Sequence, residues 1–108
     1  MPNFSICWID NASVPNGVHL GFIGAKPETI IIKNVKFYPT NYIERETVIH
    51  SVILGESMVH RFFEFPNHCG SYDKMTFQIK QEGEIGWDVT IDINEKKSYI
   101  ETAKYQVL

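Results

Sequence analysis

The sequence predicts a single, nearly all-β domain across residues 1–108, an antiparallel β-sandwich or closed barrel of seven or eight strands. Three observations predict it. Runs rich in Val, Ile, Thr, Phe and Tyr recur about every ten to twelve residues, the spacing of sandwiches and barrels. Each run is bounded by residues that end strands: Pro removes a ladder donor, Gly permits positive φ, and Asn or Asp tolerates the left-handed region. No segment carries a capped apolar stripe of helical period, so one short turn of helix is the most the pattern allows.

In order, strands are expected near 4–10, 18–23, 28–38, 45–54, 57–65, 73–81, 85–94 and 98–107. The first three end at the turn signals Val14-Pro15-Asn16-Gly17, Gly24-Ala25-Lys26-Pro27 and Pro39-Thr40-Asn41. The next two meet at Gly55-Glu56 and carry apolar residues on both faces, as in Val48-Ile49-His50-Ser51-Val52-Ile53 and Phe62-Phe63-Glu64-Phe65. Strands of that kind are covered on both sides or lie at a dimer contact. His50 and His60 would face each other across an odd-length loop, and the Phe-rich run reads as core at a strand end rather than a membrane-inserting tip.

The last three runs alternate more cleanly. Met75, Phe77 and Ile79 alternate with Lys74, Thr76, Gln78 and Lys80, and Trp87, Val89, Ile91 and Ile93 alternate with Asp88, Thr90, Asp92 and Asn94. Putting both apolar sets on one face requires Ile79 opposite Trp87, hence a three-residue loop Glu82-Gly83-Glu84. The same matching across Asn94 to Ser98 sets Trp87 opposite Tyr105, Val89 opposite Ala103 and Ile91 opposite Glu101, the last an ill-matched pair.

One hydrophobic core fits in 108 residues, and 44% apolar, 21% charged and 13% aromatic residues are the composition of a folded domain. Ten basic against thirteen acidic residues give −3, with the cations scattered. That excludes the basic face nucleic acid requires and disfavours anionic lipid, while neutral sugars and neutral lipid headgroups remain open as partners. The start, Met1-Pro2-Asn3-Phe4-Ser5-Ile6-Cys7-Trp8, lacks a basic region and a long apolar stretch. No signal peptide or transmembrane segment is expected, so the location is cytoplasmic, or the chain is exported without a signal peptide. The sequons Asn3-Phe4-Ser5 and Asn11-Ala12-Ser13 read as chance matches. Two cysteines, Cys7 and Cys69, exclude a disulfide framework and leave open a single bridge between them, with reduced thiols the default.

No CxxC, HxH or HxxxH pair starts a metal site, so neither metal nor other cofactor is expected. A nucleophile would be Cys69 beside His68, with His19, His50 or His60 as base and Asp73 or Asp88 to orient it, but adjacency alone supplies neither a lowered thiol pKa nor a base in reach. Asp88 and Asp92 share one strand face and read as solubilising acids rather than a glycosidase or calcium pair. The chain is read as non-enzymatic, with no catalytic residues. Two loops are more informative: Phe37-Tyr38-Pro39-Thr40-Asn41-Tyr42 and Asn67-His68-Cys69-Gly70-Ser71-Tyr72-Asp73. Rings beside amides and carboxylates suit a neutral polar ligand, the ring covering a sugar's apolar face while Asn and Asp fix its hydroxyls. The candidate ligand-binding set is Tyr38, Asn41, Tyr42, Asn67, Tyr72 and Asp73.

Ile30-Ile31-Ile32-Lys33-Asn34-Val35-Lys36 and His68-Cys69-Gly70-Ser71 resemble an early strand and a Cys-Gly turn of the aegerolysins. The resemblance implies a small β-sandwich that binds membrane lipids without a signal peptide. It spans about a tenth of the chain, which lacks that family's later tryptophan-rich segment, so no functional residue carries over. The expected functions are therefore lectin-like recognition of a neutral carbohydrate, then lipid-headgroup binding or pore formation, then a structural role as a homo-oligomer, for instance a homodimer.

Overall fold

The computed structural model describes residues 4–10, 16–24, 28–40, 48–54, 59–66, 71–81 and 85–104, with backbone alone for 28–30, 48–54 and 81. All eight expected strands form: β1 (Phe4–Trp8), β2 (Gly17–Gly24), β3 (Glu28–Pro39), β4 (Val48–Leu54), β5 (Val59–Glu64), β6 (Tyr72–Gln81), β7 (Trp87–Asp92) and β8 (Lys97–Thr102). They build two antiparallel sheets, one of three strands in the order β1-β2-β5 and one of five in the order β4-β3-β6-β7-β8. The sheets stay open, so the molecule is a sandwich and not a barrel.

Period-two alternation selects what lies between the sheets. Val18, Leu20, Phe22 and Phe63 from the three-stranded sheet meet Ile32, Val35, Phe37, Met75, Phe77, Ile79, Val89 and Ile91 from the other, and all are buried. Phe77 joins the layers, its ring stacked on Phe63 at 6.0 Å and edge-on to Phe22 at 6.4 Å. Burying a Phe side chain is worth about 1.5–3 kcal/mol, and such aromatic pairs add about 0.5–1.5 kcal/mol.

Ile79 does face Trp87, as the alternation requires; the loop 82–84 between them lies outside the described residues. The next register differs from expectation. Trp87 pairs with Thr102, Val89 with Ile100 and Ile91 with Ser98. A short turn at 93–96 forces the change: the Glu95 backbone N–H donates to Asp92 Oδ1 at 2.8 Å, and Lys96 takes φ 58° to close it. The gain is Ile100 against Val89, and Glu101 leaves the inner face.

The strands either side of Gly55-Glu56 do not form a hairpin. β4 pairs with β3, whereas β5 crosses to the other sheet and pairs with β2, so each is an edge strand of a different sheet. His50 and His60 consequently lie in different sheets. Phe63 needs the inner face, and the crossing supplies it. Phe62 is then left on the outer face, half-buried and edge-on to His19 at 6.3 Å, which gives that ring an intramolecular cover.

Candidate functional site

The outer face of the five-stranded sheet is polar by the same alternation. Lys36, Thr76, Thr90 and Tyr99 form one row across β3, β6, β7 and β8, and Tyr38, Lys74, Asp92 and Lys97 form the next. β3 breaks its alternation between these rows and the one below. Lys33 pairs with Gln78 but Lys36 with Thr76, so two residues, Asn34 and Val35, stand opposite Phe77 alone. This is a β-bulge, and it keeps both Ile32 and Val35 in the core. Asn34 absorbs the extra residue at φ 55°, in the left-handed region that Asn tolerates better than other side chains carrying a Cβ.

At the bulge the face carries a depression of about 290 Å³, lined by Asn34, Lys36, Thr76, Gln78, Asp88 and Thr90, with Phe77 and Val89 beneath. One hydrogen-bond chain orients its wall. Asn34 Nδ2 donates to Gln78 Oε1 at 2.6 Å, and Gln78 Nε2 donates to Asp88 Oδ1 at 3.0 Å. Asp88 Oδ2 accepts from the Lys104 backbone N–H at 3.3 Å. By inventory this leaves outward the Asn34 carbonyl oxygen, the second Gln78 N–H, the Thr90 hydroxyl, the acceptor lone pairs of the Thr76 hydroxyl and the Lys36 ammonium. Tyr38 and Tyr99 stand on the same outer face as neighbours of Thr76 and Thr90. Thr76 Oγ1 donates to the Tyr38 hydroxyl at 3.4 Å, Lys74 Nζ lies 4.6 Å above the Tyr38 ring, and Tyr99, opposite Thr90, is half exposed.

Of the six residues picked out from sequence, the three that are described, Tyr38, Tyr72 and Asp73, are not gathered into one site. Asn41, Tyr42 and Asn67 lie outside the described residues. Tyr38 stands beside Thr76 on the outer face. Tyr72 lies inside the core, because the register shift between Tyr38 and Pro39 returns it to the inner face, where it stacks on Phe65 at 4.7 Å and meets Phe37 at 5.8 Å. Asp73 ties three segments together: its Oδ1 accepts from Thr40 Oγ1 at 3.0 Å and Asn94 Nδ2 at 3.3 Å, and its carbonyl accepts from the Ile93 N–H at 3.0 Å. The lining residues Asn34, Lys36, Thr76, Gln78, Asp88 and Thr90 were not singled out as a set. Their signal is a phase slip in Ile32-Lys33-Asn34-Val35-Lys36-Phe37, where the apolar spacing goes from three to two around an Asn.

Other chemistry does not assemble among the described residues. No three His, Cys, Asp or Glu side chains converge as metal ligands would. Asp88 and Asp92 are separately engaged, by Gln78 and Lys104 and by the Glu95 N–H. Cys69, His68 and the His50 side chain lie outside the described residues. No family model, curated protein or solved structure matches this chain.

Proposed function

We propose that this protein is a non-enzymatic binding module and that the outer face of its five-stranded sheet recognises a neutral carbohydrate. The observation that carries the reading is the depression at the bulge, whose lining offers hydroxyl and ammonium groups beside amides and a carboxylate fixed by the Asn34–Gln78–Asp88 chain. A sugar hydroxyl is both donor and acceptor, so a wall alternating the two can satisfy adjacent hydroxyls at once. The exposed Tyr99 ring, opposite Thr90, provides an apolar surface on the same face. Preset side chains also spare the ligand part of the ordering cost that limits small-ligand affinity.

No specific observation favours the lipid or homo-oligomer readings. Among the described residues the exposed large apolar side chains, Ile23, Ile31, Ile85 and Tyr99, sit on four separate segments, whereas a membrane-binding patch is contiguous. No described helix is long and apolar enough to cross a membrane.

The reading is tested by titrating 15N-labelled protein with neutral mono- and disaccharides and following backbone amides. The expected result is saturable shifts centred on Lys36, Thr76, Gln78 and Thr90, with Kd on the order of 1 mM or tighter, which asks for about 4 kcal/mol. Shifts centred elsewhere, or none with any sugar, would overturn it.

A further inference from the structure

A second cavity of about 320 Å³ lies at the seam where the edge strands β1 and β8 face each other. Its character differs from that of the sheet face. Ile6, Leu20 and Ile91 give it an apolar floor, the half-buried Trp8 forms one wall, and Lys96, Lys97 and Ser98 form the other. A cavity of this size, at the small end of ligand pockets, takes a small molecule rather than a peptide.

Two of the lining side chains, Trp8 and Lys96, already hold a carboxylate. Asp10 Oδ1 accepts from Trp8 Nε1 at 3.1 Å and from Lys96 Nζ at 2.8 Å, and Lys96 Nζ also stands 5.9 Å from the Trp8 ring centre. An indole N–H and an ammonium of the lining thus converge on one oxygen. The hydrogen bond from Lys96, then that from Trp8, holds the Asp10 carboxyl below the usual carboxylate range, so the position favours an anion over a neutral acid. Asp10 is not built in: its side chain is 77% exposed and that of Lys96 52%. Exposed pairs of this kind are weak and exchange readily.

We propose that this seam is a binding site for a small amphiphilic monocarboxylate, whose apolar body lies on Ile6, Leu20 and Ile91 and whose carboxylate replaces Asp10 between Trp8 Nε1 and Lys96 Nζ. The apolar floor selects the body, and the pair of donors selects the charge. The proposal does not depend on the carbohydrate reading, which concerns the outer face of β3, β6 and β7, although Tyr99 also borders this seam.

The test titrates 15N-labelled protein with 2-naphthoate and, separately, with 2-naphthamide, the same body without the charge. The Trp8 indole N–H is the reporter, assigned with Trp8→Phe, and the Trp87 indole is the internal control. The carboxylate is expected to shift Trp8 saturably and to bind at least about tenfold more tightly than the amide. Asp10→Asn removes the competing charge and is expected to tighten 2-naphthoate about threefold or more, whereas Lys96→Gln weakens it about tenfold. Cooperative unfolding transitions and native circular dichroism confirm that both variants are folded. The proposal is overturned by the absence of a saturable Trp8 shift, by equal affinity for acid and amide, or by an Asp10→Asn affinity that is unchanged or weaker.

Discussion

The two sheets treat their outer faces in opposite ways. On the three-stranded sheet the outward residues of β2 are Gly17, His19, Gly21 and Ile23, and the neighbouring β5 contributes His60 and Phe62. Rings lie down where glycine leaves room. The His19 and His60 rings meet edge-on at 5.3 Å, Phe62 closes on His19, and Gly21 is buried beneath this layer. At Gly17 a Cβ would meet the Phe63 carbonyl oxygen and come within 2.5 Å of Phe62 Cζ. On the five-stranded sheet the central strands instead present Thr76, Gln78, Asp88 and Thr90, which line the depression at the Asn34 bulge. Glycine under rings makes a cover; hydroxyls and amides beside a bulge make a receptacle.

The comparison breaks most completely at Phe77, the ring both faces share as support. Phe77→Ala is expected to destabilise by about 3–5 kcal/mol in chemical unfolding, because the ring is 2% exposed and packs on Phe22 and Phe63. A loss under about 1 kcal/mol would show that the layers are not joined there.

Gly17→Ala acts on the covered face alone. Its methyl must displace Phe62 and the β5 backbone, so a loss of about 1–3 kcal/mol is expected, with sugar binding on the other sheet unaffected in the folded protein. Stability equal to the parent would contradict the close fit.

Asn34 separates backbone from side chain on the open face. Asn34→Ala is expected to cost about 1–2 kcal/mol, since it keeps a Cβ at φ 55° and loses the Gln78 hydrogen bond. Asn34→Gly relieves the backbone and should recover most of that stability while still losing at least about tenfold in sugar affinity. Both variants binding as the parent does would remove Asn34 from the site.

The smallest effect is at Asp10. Its folded-state pKa is depressed, so the stability it contributes is present above the ordinary carboxylate range and is lost as pH falls through the lowered folded value. The Trp8 indole N–H shift should therefore titrate in acid below that range, and Asp10→Asn should abolish the step. A titration at the usual value would show that Lys96 and Trp8 do not hold the carboxylate.

Much of this molecule was legible in its sequence. Strand positions followed from alternation and turn residues, and the β6–β7 register followed because Met75, Phe77 and Ile79 and Trp87, Val89 and Ile91 each allow only one inward set. The β7–β8 register was not legible. It hangs on Asp92 capping the Glu95 N–H and on a lysine, not a glycine, taking positive φ at position 96. Nor was the crossing of β5, since a strand apolar on both faces does not say which sheet it joins. The site was the least legible part. Tyr72 and Asp73 looked alike as loop residues, but a register shift sent one into the core and made the other a tie between segments, while the bulge showed only as a slip of phase around Asn34.

The most direct test of the binding face is a glycan array probed with labelled protein beside a Thr76→Val, Thr90→Val variant. The two changes remove both hydroxyls while keeping shape, β-propensity and the core. The account predicts signal on neutral glycans that falls at least about tenfold in the variant while its circular dichroism stays native. Silence from the parent protein, or signal that the variant retains in full, would contradict it.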